Sequence, residues 1–202
     1  MLTKNPEGFR YDDDTHTYYI GDRRISGITE ALTSVGLRPS LDHIPEPVLS
    51  KASRRGTHIH TLTQFLDEGR LGEVHESYAP YLDAYHAFKE EYKFVPEIIE
   101  EKYCHPIYYF AGRPDRGGYI NGEKAVVEIK TIAGPLEDWI EFQLAGQQIL
   151  FEDVAGFGQI KVRMAVKLKK DGTFDRRFFH NHKAKAMFLG AVSISNWKLG
   201  RA

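Results

Sequence analysis

Polar and apolar positions along residues 112–131, GRPDRGGYINGEKAVVEIKT, read as two β-strands around an Asn-Gly turn. An apolar run, Ala125-Val126-Val127, stops abruptly at Glu128-Ile129-Lys130. Upstream lies Asn121-Gly122, a strong signal for a two-residue hairpin, because a type I′ turn needs positive φ at both central residues. With that pair at the turn, Ile120 faces Glu123, Tyr119 faces Lys124, Asp115 faces Glu128 and Arg113 faces Lys130. Directly opposite residues share a face of the sheet, with Cβ atoms about 4.5–5.5 Å apart. The hairpin is thus expected to project two carboxylates and a lysine from one side, with Ala125, Val127 and Ile129 on the other facing a core. A shift of one residue would scatter the charges to both faces. The double glycine 117–118 offers a place for a bulge that would cause one.

The same reading along the chain predicts a small β-hairpin over 9–25, a short helix over 27–36 and a proline-rich loop over 37–50. A helix is expected from about Thr57 to Asp67, stopped by Gly69, and another over 78–93 with Pro80 in its first turn. A strand follows over 97–105, then the hairpin above, then a break at Gly134-Pro135 and a helix over 136–152. A second hairpin over 158–169 and 173–179 turns at Asp171-Gly172, and a last helix runs from about 181 to 197. The order α-α-β-β-β-α-β-β-α predicts an α/β or α+β fold, a sheet with helices against it.

The helix over 136–152 has an oddity. Leu136, Ile140, Leu144 and Phe151 share one face, and Gln143 and Gln147 lie in the middle of it. A buried glutamine must find partners. Either both satisfy nearby backbone, or this face meets the charged side of the hairpin. The hairpin poses a matching choice. Facing carboxylates repel, so they imply a positive charge between them, either Lys130 or a divalent cation such as Mg²⁺ or Mn²⁺. The alternative is a solvated hairpin with a surface salt bridge.

Composition narrows the classes. The 202 residues are 42% hydrophobic and 27% charged, which suits one domain, here with residues 1–50 as a hairpin, helix and loop appended to a core over 51–202. A single cysteine, Cys104, excludes a disulfide framework and any four-cysteine metal cluster, and fits a reducing compartment, so a soluble cytoplasmic location is expected. No apolar run approaches membrane-spanning length and no signal peptide is apparent. The net charge of −1 leaves nucleic-acid binding to local patches.

Taken as a set, these residues resemble the PD-(D/E)xK nuclease superfamily, and within it the RecB-like and phage-type exonucleases. Pro114-Asp115 is similar to the PD, and Glu128-Ile129-Lys130 to the (D/E)xK. Gln143 with Gln147 is similar to the downstream QxxxY element, with glutamine where tyrosine is usual. RRGTHIH resembles the GxxxH signature, with His60 at the histidine position, and Glu100 in IIEEKY resembles the acid that precedes PD; Glu101 beside it is the alternative. The segment YDDDTHTYYIGDRRISGITEAL resembles the N-terminal part of phage-encoded members, so the similarity spans about 10–197.

The resemblance implies a restriction-endonuclease-like core with a central mixed sheet flanked by helices, and a metal-dependent deoxyribonuclease. It implies an exonuclease in phage or prophage recombination or DNA processing, with DNA as substrate and a recombination or single-strand-annealing protein as partner. Asp115 and Glu128, with the Ile129 carbonyl, are then expected to bind one or two Mg²⁺ or Mn²⁺ ions, with His60 and Glu100 completing the sites. Lys130 is expected to orient the attacking water and steady the pentavalent state, positioned by Gln143. A site-specific or structure-selective endonuclease and an idle DNA-binding module are the rival readings. The related nucleases with an iron–sulfur cluster need four cysteines, so no such cluster is expected here.

Other signals weigh less. His58 and His60 point about 200° apart on a helix and do not chelate together, so His58 reads as structural or surface. The HNH at 180–182 reads as a helix start rather than a nuclease motif. Arg54, Arg55 and Arg113, the strand residues Lys161 and Arg163, and Gln147 are candidate substrate contacts. Lys167, Lys169, Lys170, Arg176 and Arg177 continue the basic stretch. Tyr108, Tyr109 and Phe110 are read as packing under the sheet rather than stacking on bases.

Overall fold

The computed structural model describes residues 5–200. The chain runs β1 (Phe9–Asp12), β2 (Thr17–Ile20), β3 (Arg23–Gly27), α1 (Ile28–Ser34), α2 (Glu46–Asp67), α3 (Ala79–Glu91), β4 (Val95–Ile99), β5 (Tyr103–His105), β6 (Phe110–Gly112), β7 (Arg116–Ile120) and β8 (Glu123–Lys130). It continues through α4 (Ile140–Ile149), a π-helical turn at Leu150–Val154, β9 (Val162–Leu168), β10 (Phe174–Phe178) and α5 (Ala184–Leu199). The expected mixed sheet flanked by helices is present, in the order β10-β9-β8-β7-β4, with β8 and β9 parallel and the other neighbours antiparallel. A second sheet, β1-β2-β3-β6-β5, joins the N-terminal strands to two later ones through the parallel pair β3–β6.

Strand β8 is buried on both faces. Ala125, Val127 and Ile129 pack with Ile59 of α2 and with Tyr85 and Phe88 of α3. Val126 packs on the other side with Leu136, Ile140, Leu144 and Phe151, the four residues whose spacing placed them on one face. α4 is in turn covered from behind by α1 and α5, through Leu32, Ala145, Ile149 and Phe188. A helix enclosed on two sides has no solvent face, which is why Gln143 and Gln147 are buried.

The hairpin register is the one that the turn predicted. Asn121 and Gly122 have φ of 49° and 85°, and pairing runs from Ile120↔Glu123 to Arg116↔Val127. The irregularity lies on the other side of β7, between Pro96 and Ile98 of β4. The glycine pair serves that edge: a Cβ on Gly118 would come within 2.3 Å of the Val95 carbonyl oxygen.

Several boundaries differ from the pattern-based reading. α2 begins at Glu46 rather than Thr57, because Pro45 caps it and Pro47 lies in its first turn, where a missing N–H costs nothing. The strand expected over 97–105 is two strands in different sheets, split at Glu100, a non-glycine residue at φ 52°. The N-terminal hairpin is three strands, and β6 was not anticipated. Leu136 precedes α4 in a loop, and the segment 180–182 lies between β10 and α5.

Gly118→Ala is expected to destabilise the fold by about 1–3 kcal/mol, the cost of overpacking against fixed backbone. Urea unfolding measures this, and Gly122→Asn, at the open turn, provides the mild comparison.

Candidate active site

One end of β8 carries the charged cluster. Beyond Arg116 the hairpin ladder ends and Asp115 reaches across: its Oδ2 accepts from the Ile129 amide at 2.7 Å. α2 brings His60 over the same point. Its Nδ1 lies 3.0 Å from Glu100 Oε1 and 3.5 Å from Asp115 Oδ1, and its Nε2 lies 3.2 Å from the Ile129 carbonyl oxygen. A carbonyl only accepts, so Nε2 carries a proton; Nδ1 facing a carboxylate carries one as well. His60 therefore sits as an imidazolium. Burial opposes its charge, but Asp115, Glu100 and Glu128 outweigh burial and raise its pKa to about 9.

The turn after β4 settles which of two adjacent acids enters the cluster. The left-handed conformation of Glu100, with its N–H bonded to the Asp115 carbonyl at 3.1 Å, directs its side chain inward. Glu101 is exposed and accepts from the Tyr103 hydroxyl at 2.7 Å. Burial favours the neutral form of Glu100, yet the hydrogen bond from His60 and the charges of His60, Arg116 and Arg113 hold its pKa below the usual value.

Glu128 is held from α4 and from its own strand. Oε1 accepts from Lys130 Nζ at 2.5 Å and from Gln143 Nε2 at 2.6 Å, and Oε2 accepts from Gln147 Nε2. Lys130 also donates to Gln143 Oε1 at 3.2 Å. Residues four apart on a helix project on the same side, so both glutamines reach one carboxylate. Their burial is thus explained by the charged end of the hairpin.

Asp115 has no such counterpart. Burial comes first, then repulsion from Glu128, and together they push its pKa up to about 7 despite His60. The donor atoms of His60, Glu100 and Asp115 lie within 4.8 Å of one another. Oxygen donors converging on an under-neutralised carboxylate fit a hard divalent cation. Glu128 lies outside that trio as drawn, because its oxygens are taken by Lys130 and the glutamines.

Sequence reasoning missed the support beneath the cluster. Arg116 is fully buried, and its Nε donates to Asp67 Oδ2 at 2.8 Å. Its Nη1 donates to Glu100 at 3.2 Å and to the Asp115 carbonyl at 2.7 Å, and its Nη2 donates to Thr63 Oγ1 at 3.1 Å. Asp67 also receives Lys89 Nζ at 2.6 Å and the Tyr85 hydroxyl at 2.7 Å. A signal was available: His60, Thr63 and Asp67 stand at i, i+3 and i+7, one polar stripe on α2.

The remaining candidates are dispersed. Arg113 lies 3.1 Å from Glu100 Oε2. Arg55 donates to the Thr131 carbonyl at 3.0 Å, and Arg54 to Ser50. Arg163 donates to the Asn181 carbonyl at 2.7 Å and lines, with Lys161, a separate cavity of about 340 Å³. His58 is exposed and stacks near Tyr78, with ring centroids 4.3 Å apart. Phe110 is buried in the second core, as expected, whereas Tyr108 is exposed.

No family model and no curated protein sequence matches the chain. Among solved structures, the fold is similar to that of an alkaline exonuclease from Laribacter hongkongensis, at a TM-score of 0.50 and 13% identity over 88% of each chain. The same exonuclease in complex with dAMP gives a TM-score of 0.50 at 14% identity, again over 88% of each chain. The likeness is one of fold.

Arg116→Met leaves Asp67 and Glu100 short of their shared cation. Stability is expected to fall by about 3–5 kcal/mol, as for breaking a buried ion pair. Arg116→Lys should recover only part, because one compact ammonium cannot reach all four acceptors that the guanidinium fork spans. Chemical unfolding of the three proteins checks both.

Proposed function

We propose that this protein is a metal-dependent deoxyribonuclease of the PD-(D/E)xK type, acting as an exonuclease on DNA in phage or prophage recombination or DNA processing. One observation carries the reading: Asp115, buried between Glu128 and Glu100, shares its one cationic neighbour, His60, with Glu100, while Lys130 stands on β8 beside Glu128. The fold shared with an alkaline exonuclease supports a nuclease.

In this reading Asp115, Glu128 and the Ile129 carbonyl hold Mg²⁺ or Mn²⁺, with Glu100 and His60 completing that site or a second one. Such an ion supplies neutralisation of the charge that builds on the scissile phosphate and a more acidic water. The chain does the rest. Lys130 directs the attacking water and steadies the phosphorane charge, and Gln143 holds its ammonium by accepting from it. Gln147 keeps Glu128 facing the centre from the opposite side. His60, held against Glu100 and Asp115, would complete the site as a neutral imidazole. Arg113, half exposed beside Glu100, contacts the scissile strand, and Arg54, Arg55, Lys161 and Arg163 contact phosphates further away. The products are a 5′-phosphate and a 3′-hydroxyl.

The test is degradation of linear, nicked and closed circular DNA, single- and double-stranded, with Mg²⁺, Mn²⁺ or EDTA. Loss of linear but not closed circular DNA is expected. EDTA should abolish it, and Lys130→Ala should lower the rate at least about a hundredfold, the scale of a lost proton-transfer or charge-stabilising group. Cutting of closed circles would replace the exonuclease with an endonuclease. Absence of hydrolysis with either metal, in a folded protein that binds DNA, would leave a binding module.

A further inference from the structure

A cavity of about 670 Å³ lies away from the carboxylates, between the first turns of α2, the loop before α3 and the β9–β10 turn. Lys51, Arg54, Arg55 and Lys170 line it, with Ser50 and Tyr78. These four cations share one cavity, and none has an acidic partner among the described residues. Arg54 donates only to Ser50, at 2.9 Å, and Arg55 only to the Thr131 carbonyl, at 3.0 Å. The Arg55 Nε is buried with no hydrogen-bond partner at all. Lys51 and Lys170 are exposed and make no ion pair.

Along β9 and β10 and at the start of α5 much of the positive charge is already paired. Asp175 takes Lys167 at 3.2 Å and Lys169 at 3.0 Å, Asp138 takes Arg177, and Glu152 takes Lys185. Glu141 lies 3.6 Å from Arg163. The basic run on β9 and β10 is therefore largely neutralised, while the concave surface at the start of α2 is not. Glu46 is the single acid on its lining.

Arg55 ties the cavity to the segment that follows Lys130. Arg55 is five residues before His60, about 7.5 Å along the helix axis, and its guanidinium grips the carbonyl of Thr131, the residue after Lys130. A cavity of this volume has the size of a small-ligand site, which accommodates one extended strand and not a duplex. The ring of Tyr78, paired with His58 at 4.3 Å, adds an aromatic wall of the kind that stacks on bases.

We propose that this cavity is a phosphate track for one single strand of DNA, gripping the nucleotides next to the cleaved bond through Lys51, Arg54, Arg55 and Lys170. The proposal rests on the nuclease reading for its direction toward the metal cluster, but the binding itself does not require hydrolysis.

Fluorescence anisotropy of a labelled oligothymidylate, in EDTA over a salt series, tests it. The double variant Lys51→Ala/Lys170→Ala should weaken binding at least tenfold at low salt. It should also flatten the log–log salt slope by about 1.4, the contribution of two single-strand phosphate contacts. Arg54→Ala should act in the same direction with a smaller step. Lys183→Ala, an exposed cation on another surface, should leave both quantities unchanged. Unchanged affinity and slope in the folded double variant would overturn the track. So would a loss confined to duplex binding. Hydrolysis measured beside it separates the two readings: a groove-dependent binder that cleaves nothing keeps the track and loses the nuclease, and a nuclease whose binding ignores Lys51 and Lys170 does the reverse.

Discussion

Four carboxylates buried within one small volume set the terms for this structure. The side chains of Asp67, Glu100, Asp115 and Glu128 are 0%, 6%, 9% and 4% exposed. Burying an ionised carboxylate is costly unless a cation and hydrogen bonds meet it. The surrounding architecture supplies these. Arg116 and Lys89 serve Asp67, Arg116, Arg113 and His60 serve Glu100, and Lys130 with two glutamines serves Glu128. These partners arrive on several elements, so α2, α3, α4 and the hairpin must all dock for the charges to be satisfied together.

Asp115 is the exception, and the functional reading turns on it. It accepts one backbone hydrogen bond and shares His60 with Glu100. A carboxylate left partly unmatched at the meeting point of three others makes the cluster a site for an added cation. The same asymmetry separates the two ends of the site. Lys130 belongs to Glu128 and faces Trp139 at 5.4 Å, whereas His60 belongs to the Glu100 side. Charge in the protein without metal is thus partitioned into a lysine side and a histidine side, with Asp115 between them.

Much of this was legible from local rules. The Asn121-Gly122 turn dictates the register, and the register carries Asp115 to the end of β8 beside Glu128. The helical spacing of Gln143 and Gln147 marks a polar spot in an apolar face, which the structure matches to Glu128. What escaped depends on contacts remote in sequence. A left-handed residue at Glu100 has no compositional marker, since glycine or asparagine usually fills that conformation. The start of α2 escaped because prolines near residue 46 read equally as a loop or as a first helical turn. Arg116 escaped because alternation places it on the core side of β7, where an arginine is tolerable only if Asp67, some 49 residues away, comes to meet it. The joining of β3 to β6 is likewise a long-range parallel pair that no local pattern encodes.

The most direct test of the central claim is anomalous X-ray diffraction from crystals grown with Mn²⁺. The account predicts an anomalous peak bonded to Asp115, with Glu100 or Glu128 and the Ile129 carbonyl as further oxygen ligands, and no such peak in Asp115→Asn crystals. Full Mn²⁺ occupancy elsewhere on the protein, with the Asp115 carboxylate still bonded only to the Ile129 amide and His60, would contradict it.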